Sequence, residues 1–412
     1  MDTAQPLKEK TYLSDTDRGL PFQKRYGWVM LLLLWLLNAV FSLIVRAIGP
    51  LVTPIVRDLH LSYTQMGFIL GSWQLIYIGA SMIAGTIIDR WGIRKSLLAG
   101  ALTIGLSSAL RYFPRGFGGL LGAVALFGAG GPLISVGCPK TIALWFEGRQ
   151  RGTALGIYLT GAWTGSILGL TLTNSVVMPF CGYNWRVTFL FFGACAFAAA
   201  SLWWIFAREP ASPGVAEDLT VFQLLIHLFK VRRVQVVLVL GLLTFAIFHG
   251  FTHWLPRILE GKKLSPAMAG FVASLPFAAG IPSLLIIPRL IPPHRRPALL
   301  CAGSIAALIT FPFITSSSGG IQLAALILFG IIVSPFIPLL TVILMETPEV
   351  GSNHMGAAGG MFFCISEIGG FTGPLIMGAS VDLTGDFLGG AIFFAVLCLF
   401  FAVLTFFLKD RT

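Results

Sequence analysis

"GTIIDRWGIRKS", residues 85–96, is a short charged segment between two long apolar stretches of the chain. It places Asp89, Arg90, Arg94 and Lys95 almost side by side, in a sequence that is 56% hydrophobic and only 11% charged. A soluble domain averages about 25% charged residues, and a chain this apolar would expose large hydrophobic patches to water. The composition therefore predicts a membrane protein, and the charged segment indicates a loop between two membrane spans.

Long apolar runs recur along the whole chain and predict an all-α membrane protein. A run such as "GWVMLLLLWLLNAVFSLIV" (27–45) is long enough to cross a hydrocarbon core of about 30 Å as a helix. Lipid offers no hydrogen-bond partner to backbone groups, so each run should be helical. Twelve spans are predicted, at 27–51, 65–88, 97–113, 119–144, 152–178, 186–207, 234–256, 266–290, 298–316, 320–345, 356–380 and 389–408.

The basic residues are distributed unequally between the two sides of these spans. Loops on the side of the N-terminus hold most of the lysines and arginines, including Arg94, Lys95, Arg151 and Arg208. Because cytoplasmic loops carry the excess of positive charge, both termini are expected in the cytoplasm. We expect the protein in the plasma membrane, which is the inner membrane in a bacterium. The net charge of +11 then reflects topology, and no nucleic-acid partner is predicted.

The sequence also contains an internal repeat. Leu61 and Ser62 of "DLHLSYTQMG" correspond to Leu264 and Ser265 of "EGKKLSPAMAG", and "RGTALGIYLTGAWTGSILG" (151–169) corresponds to "MGAAGGMFFCISEIGGFTG" (355–373). Both matches have an offset of 203 to 204 residues, which indicates six spans duplicated in parallel. The expected organisation is a cytoplasmic N-terminal tail (1–26), an N-terminal six-helix bundle (27–207), a cytoplasmic linker (208–233), a C-terminal six-helix bundle (234–408) and a cytoplasmic C-terminal tail (409–412).

Twelve spans, a parallel repeat of six and a long central loop resemble the plan of the major facilitator superfamily. The opening segment is similar to that family's signature between spans 2 and 3. The resemblance implies a transporter whose two six-helix bundles enclose a central cavity. It also implies a conformational latch, in which Asp89 meets the start of span 11 near Met355 and Gly85 lets span 2 pack closely on a neighbour. The predicted latch residues are Gly85, Asp89, Arg90, Arg94 and Lys95.

Ionisable residues inside spans are costly and usually functional. Arg46 lies in span 1 and His249 in span 7, and the repeat offset of 203 relates one to the other. We expect both side chains to face the central cavity, where a guanidinium and an imidazole would suit a small anion. Glu367 is the carboxylate placed deep in span 11, and it is predicted, together with His249, to couple transport to protons. Further candidates for substrate contact are Asn38, Tyr77, Tyr158 and Trp163.

Several segments are also similar to the cyanate and nitrite or nitrate porters, and the arginine in span 1 resembles that of the anion:cation symporters. This resemblance implies a small anionic substrate, organic or pseudohalide. The main alternative is proton-driven efflux of hydrophobic drug-like compounds, which predicts a cavity with an acid and no required arginine. An intramembrane enzyme and a receptor without transport are further alternatives. No ATP-binding loop, metal spacing or cofactor motif occurs, so protons, the bilayer and the substrate are the predicted partners of a monomer.

Overall fold

The computed structural model describes residues 20–209, 221–351 and 354–408, and within these ranges the chain forms helices and no β-strand. The predicted tails at 1–19 and 409–412 and residues 210–220 of the linker lie outside the described residues. The first half consists of span 1 (Leu20–Ala47, continued by Val52–Leu59), span 2 (Tyr63–Trp91), span 3 (Ile93–Leu110), span 4 (Phe117–Trp145), span 5 (Gly148–Leu172, continued by Thr173–Val177) and span 6 (Trp185–Phe206).

A short helix, Val221–Lys230, precedes the second half. That half consists of span 7 (Arg232–Gly261), span 8 (Pro266–Leu290), span 9 (Arg296–Ser316), span 10 (Gly319–Val333 and Phe336–Met345), span 11 (Met355–Thr384) and span 12 (Leu388–Thr405). Span 10 is interrupted at Ser334 and Pro335, because proline cannot donate the backbone hydrogen bond that a continuous helix requires. The predicted twelve-helix fold is confirmed, and the domain boundaries remain predictions.

Within the described residues, eleven helical stretches are long and apolar enough to cross a membrane. Span 3 is the twelfth, and its first turn carries Arg94 and Lys95. It packs against spans 4 and 6 as span 9 packs against spans 10 and 12 in the second half. Span 3 therefore belongs to the bundle, and its charged first turn explains its lower hydrophobicity.

The internal repeat is visible in the local geometry at the start of spans 2 and 8. Ser62 and Ser265 are both N-caps, and their hydroxyls accept hydrogen bonds from the backbone N–H of Gln65 and Met268. An N-cap hydroxyl satisfies one of the free N–H groups at a helix start. His60 and Lys263, also 203 residues apart, both adopt positive φ angles of 50° and 67°. The Leu-Ser match in the sequence thus corresponds to one turn that occurs twice.

The repeat is equally visible in helix packing. A Cβ on Gly165 or Gly169 of span 5 would lie within 2.5 Å of a backbone oxygen of span 1, that of Ala39 or Leu43. Gly369 and Gly373 of span 11 are packed in the same way on Leu242 and Ala246 of span 7. Each residue of the second set follows its counterpart by 203 or 204 positions. Small residues permit this close approach of helix backbones in lipid, where packing drives association.

The two ends of the bundle differ in how closely the halves approach. We call the end with residues 60–62, 181–184, 262–265 and 385–387 the distal face, and the end with residues 92, 146–147, 291–295 and 346–351 the terminal face. Across the halves, span 2 packs on span 11 and span 5 packs on span 8. At the distal face these contacts are tight, since a Cβ on Gly67 would lie 2.5 Å from the carbonyl oxygen of Pro374. Toward the terminal face, a Cβ on Gly85, Gly152 or Gly356 would meet no described atom within 4 Å.

Polar contacts reinforce the distal closure. The Asp382 carboxylate of span 11 accepts hydrogen bonds from the backbone N–H groups of Tyr63 and Thr64, at 3.0 and 2.7 Å, at the start of span 2. Arg257 donates to the Tyr63 hydroxyl at 2.9 Å, and Thr53 hydrogen bonds to Glu260. The halves are therefore joined at the distal face and separated at the terminal face.

Candidate substrate cavity

A cavity of about 180 Å³ lies between the two halves. Three spans from each half line it, namely spans 1, 2 and 5 and spans 7, 8 and 10. Its polar lining consists of Ser42, Arg46, Ser166, Thr244, His249 and Ser334. Its aromatic lining consists of Phe41, Trp73, Trp163, Phe248 and Phe277. The predicted central cavity is thus present, and residues from both repeats contribute to it.

Arg46 extends from the last turn of span 1 into the second half of the molecule. Its guanidinium carbon lies 5.3 and 5.0 Å from the ring centroids of Phe248 and Phe277. Nη1 donates a hydrogen bond to Thr252 Oγ1 at 2.7 Å. Stacking on two aromatic faces contributes cation–π attraction of about 0.5–2 kcal/mol each and fixes the plane of the guanidinium. These contacts orient Arg46 without neutralising its charge.

Arg46 is 5% exposed, yet among the described residues it forms no ion pair with a carboxylate. Glu367 acts on it electrostatically, but no hydrogen bond joins the two side chains. A buried charge without a counter-charge is unfavourable, because the hydrogen bond to Thr252 and the two aromatic rings replace only part of the hydration that Arg46 loses. The arrangement therefore favours an anionic ligand beside Arg46.

His249 lines the same cavity as Arg46, as the repeat offset predicts. Its Nδ1 lies 3.5 Å from Nε2 of His253, one turn further along span 7, and the two rings are stacked. Trp73 of span 2 lies edge-on to the His249 ring, with centroids 6.3 Å apart. The two repeat-related residues, an arginine and a histidine, thus face one space from opposite halves.

The other substrate-contact candidates are divided between two environments. Trp163 lines the cavity, and its ring lies 5.6 Å from that of Phe277, which also contacts Arg46. Tyr77, Tyr158 and Asn38 are buried but are not part of the cavity lining. The Tyr77 hydroxyl pairs with Ser135 at 2.6 Å, and Asn38 Nδ2 donates to the backbone oxygen of Tyr158 at 3.1 Å. These three residues lie within the first half, outside the lining of this cavity, and their contact with a substrate stays a prediction.

Glu367 is 6% exposed and lies where span 11 packs on span 2. It is adjacent to Gly370 and Gln74 and does not contribute to the cavity lining. Its Oε2 atom has no hydrogen-bond partner among the described residues. The carboxylate therefore lies beside the cavity, at a contact between the halves.

Residues 34–374, which include most of the chain, match the family model described as Major Facilitator Superfamily. The chain belongs to this superfamily. It is therefore a membrane transporter rather than an enzyme, and the resemblance predicted from residues 85–95 is confirmed. A solved bacterial homologue of the human lysosomal transporter Spinster, in an inward-facing and occupied conformation, aligns over 94% of this chain and 97% of its own, with a TM-score of 0.76. At 14% identity that similarity shows a shared fold.

Curated relatives of the transporter span nearly the same length. The hexuronate transporter of Bacillus subtilis is 25% identical, covering 88% of this chain and 90% of its own. A protein of the same organism named "Probable galactarate/D-glucarate transporter" is 22% identical over 93% and 92% of the two chains. A quinolone resistance transporter of Acinetobacter baumannii is 23% identical over 85% and 86%.

The signature segment of this transporter makes its described contacts within the first half. Asp89 forms an ion pair with Lys140 of span 4, and no described residue of span 11 donates a hydrogen bond to it. Arg94 stacks on Trp204 of span 6, while Arg90 and Lys95 are exposed. The expected contact of Asp89 and Gly85 with span 11 is therefore not formed in this conformation. The physical reason is that the halves are apart at the terminal face.

The second half contains a related ion pair with its charges reversed. Arg296, at the start of span 9, pairs with Glu346 at the end of span 10. In the first half the acid, Asp89, ends span 2 and the base, Lys140, belongs to span 4. Each half thus closes its own terminal end with one charged pair. Only the first half retains an acid in the position that the family signature uses.

The sequence did not reveal the residues that contact Arg46 or the residue that lies beside Glu367. Phe248, Thr252 and Phe277 contact Arg46, but aromatic and small polar residues are common in spans and gave no distinctive signal. Gln74, beside Glu367, is different. It is a fully buried amide inside the apolar span 2, and its polarity at that depth could have identified it.

Proposed function

We propose that the transporter moves a small organic anion across the plasma membrane by alternating access, in symport with protons. The observation that carries this proposal is Arg46, a buried guanidinium in the central cavity with no described carboxylate paired to it. An anion bound there supplies the missing counter-charge. A carboxylate is the best match, because the planar guanidinium can donate two parallel hydrogen bonds to it.

The remaining lining supports a substrate that also carries hydroxyl groups. Ser166, Thr244 and Ser334 each donate their proton to a backbone carbonyl of their own helix. Their oxygens therefore remain available as acceptors for hydroxyl groups of a ligand. The relatives named for hexuronate and for galactarate or D-glucarate act on substrates of this class. We propose a hydroxylated carboxylate as the substrate.

The size of the cavity argues against the drug-efflux alternative. A volume of about 180 Å³ is below the range of about 300–1,000 Å³ that is typical of drug-sized ligand sites. The five aromatic lining residues and the quinolone resistance relative favour efflux of an aromatic compound. An uncharged or cationic aromatic substrate does not require an arginine for binding. Whether Arg46 is needed for substrate binding therefore distinguishes anion transport from drug efflux.

We further propose that the terminal face is cytoplasmic. The distribution of basic residues supports this orientation, with Arg90, Arg94, Lys95, Lys140, Lys230 and Arg295 all near that face. The structure then corresponds to a state whose cavity is directed toward the cytoplasm. One chain contains both halves of the cavity, which supports function as a monomer.

The first experiment measures ligand affinity for Arg46 variants. The purified transporter is titrated with D-glucuronate and D-glucarate, with quinolone binding measured in parallel. Arg46→Ala should weaken binding of both sugar acids about 10- to 100-fold, because a charge-assisted hydrogen bond contributes about 1.5–3 kcal/mol. Arg46→Lys should restore part of the loss, since an ammonium cannot form the two-pronged pair. If Arg46→Ala binds the sugar acids as tightly as the parent does and also binds quinolones tightly, the efflux alternative is favoured over anion transport.

The second experiment tests Glu367 as the proton-coupling residue. Glu367→Gln keeps the size and polarity of the side chain but cannot ionise. In proteoliposomes, D-glucuronate exchange across the membrane should persist in this variant, whereas accumulation driven by an imposed pH gradient should be lost. If accumulation survives, Glu367 is structural and His249 becomes the coupling candidate.

A further inference from the structure

Gln74 and Glu367 face each other across the contact between the two halves. Gln74 is fully buried in span 2, and neither its Oε1 nor its Nε2 atom has a hydrogen-bond partner in the described part of the chain. Glu367 Oε2, on span 11, is also unpaired. A Cβ on Gly370 would lie 2.8 Å from Glu367 Oε2 and 3.2 Å from Gln74 Nε2, so both groups converge on one point. Unpaired buried polar groups are rare and each requires an explanation.

The internal repeat relates this pair to the arginine site. By the repeat offset of 203 or 204 residues, His249 is equivalent in position to Arg46, Phe277 to Gln74, and Glu367 to Trp163. Phe277 lies 5.0 Å from the Arg46 guanidinium carbon and 5.6 Å from the Trp163 ring, which is tilted against it. The corresponding set on spans 7, 2 and 11 is His249, Gln74 and Glu367. The cavity region therefore has two repeat-related sides, one suited to an anion and one with an acid and an amide.

We propose that Gln74 is the partner of protonated Glu367 and that this contact couples the proton to closure of the distal face. A carboxylic acid and a primary amide form two hydrogen bonds in a ring. The acid O–H donates to the amide oxygen, and the amide N–H donates to the acid carbonyl oxygen. Ionised Glu367 has no proton to donate, so it leaves Oε1 of Gln74 unpaired. Protonation thus strengthens the contact between spans 2 and 11, and release of the proton toward the terminal face weakens it.

The charged and titratable groups around Glu367 determine how substrate binding affects its protonation. Arg46 of span 1 attracts the ionised carboxylate, and Tyr77 of span 2 interacts with both Glu367 and Cys364 of span 11. His249 and His253 lie on span 7, which packs on span 11, and both interact with Arg46. An anion bound to Arg46 offsets that attraction, so anion binding and protonation of Glu367 favour each other. By linkage the effect is reciprocal, which is the requirement for symport. This inference rests on the proposed role of Glu367 in proton coupling.

The test measures conformation rather than transport, and it needs no substrate. Spin labels at Tyr183 and Ser318, exposed positions on the distal side of opposite halves, report whether that face is closed. The distribution of distances between the two spin labels is measured by double electron–electron resonance between pH 5 and 8, in a protein whose native cysteines have been replaced. The parent should shift toward the closed distal face as the pH falls, and Glu367→Gln should show no such shift.

Gln74→Met removes the amide at nearly constant volume. It should reduce the pH-driven change in the ratio of closed to open molecules about tenfold, which corresponds to about 1.4 kcal/mol. Gln322→Met is the matched control, because Gln322 is also a buried glutamine but donates to the backbone oxygen of Ile314, away from span 2. That variant should keep the response of the parent.

Gln74→Asn provides the second variant, because it retains an amide and should fold where methionine does not. Its shorter side chain cannot complete the ring, so it should also reduce the pH response. Parent-like responses in the folded Gln74 variants, with a flat response in Glu367→Gln, would overturn the role of Gln74 and leave the role of Glu367 intact. A full response in Glu367→Gln would instead overturn the proposed proton coupling itself.

Discussion

The distal and terminal faces contain the same kinds of residue but use them differently. At the distal face, Gly67 and Gly71 of span 2 lie against the backbone of span 11, and Asp382 caps the start of span 2. At the terminal face, a Cβ on Gly85 of the same helix would meet no atom of the described residues within 4 Å, and Asp89 pairs within its own half. Span 2 thus has two surfaces suited to packing on span 11, and in this conformation the one at the distal face is packed.

This difference identifies the contacts that keep the distal face closed. Close backbone approach requires glycine, and a helix start requires a capping acceptor. In the described part of the chain, both requirements are met across the halves at the distal face alone. The unused glycines and acid at the terminal face match the surface needed for closure at that end. The comparison therefore predicts opposite effects for matched substitutions at the two faces.

The largest effect is expected from a side chain inserted into the closed contact. A Cβ at position 67 would lie 2.5 Å from the Pro374 oxygen and 3.0 Å from Leu375 Cα, which are backbone atoms that cannot rotate away. Gly67→Leu should therefore disfavour distal closure by about 1–3 kcal/mol, which changes the ratio of closed to open molecules about 5- to 150-fold. Distances between labels on the two distal loops measure this change.

Gly85→Leu is the matched control on the same helix. It meets open space in this conformation and should leave the distal contact intact. Because it obstructs closure of the terminal face, it should shift the population in the opposite direction, toward the state described here. Shifts in the same direction for both variants would contradict the two-surface interpretation.

A smaller effect is expected at the cap between spans 11 and 2. Asp382→Ala removes the carboxylate oxygens that accept hydrogen bonds from Tyr63 N, Thr64 N and the Thr64 hydroxyl. Loss of a cap costs about 1 kcal/mol, so the distal face should open about fivefold more often. Asp386→Ala is the control, since Asp386 caps Leu388 within the second half. Equal accessibility of distal cysteines in the two variants would mean that the cap does not hold the halves together.

Much of the fold could be predicted from the sequence because membrane helices are defined by length and composition. The predicted and observed spans differ mainly in the residues at which the helices begin and end. Span 3 was expected from residue 97 but begins at Ile93, and span 7 was expected to end at 256 but continues to Gly261. In both cases the helix extends through charged residues, Arg94 and Lys95 or Arg257 and Glu260. Helical hydrogen bonding continues beyond the apolar core, where hydropathy gives no signal.

The site was predictable where the repeat constrained it and unpredictable where side-chain direction mattered. Arg46 and His249 line one cavity, as their matched positions indicate. Tyr77 and Tyr158 are similarly buried but do not line that cavity, and the Tyr77 hydroxyl pairs with Ser135 of the first half. The sequence alone does not reveal which side of a buried helix a tyrosine occupies. Nor does it reveal the conformation. With the terminal face open, Asp89 pairs with Lys140 instead of span 11, and the latch stays a prediction for the state in which that face is closed.

The smallest effect on stability is expected at Asp89. Its ion pair with Lys140 is about 40% exposed, and such pairs contribute about 0–1 kcal/mol. Asp89→Asn should therefore unfold at nearly the parent temperature. If Asp89 also meets span 11 when the terminal face closes, the same variant should slow transport and favour the terminal-open state.

Lys140→Gln distinguishes the latch from the ion pair. It removes the same pair but leaves Asp89 available for span 11. The latch predicts a clear loss of D-glucuronate exchange and greater accessibility of terminal-face cysteines in Asp89→Asn, with a weaker effect in Lys140→Gln. The exchanged variant Asp89→Lys with Lys140→Asp should restore the ion pair without restoring transport, because a lysine cannot accept hydrogen bonds from a helix start. Recovery of transport in that exchanged variant would reduce the segment to a charged pair within the first half.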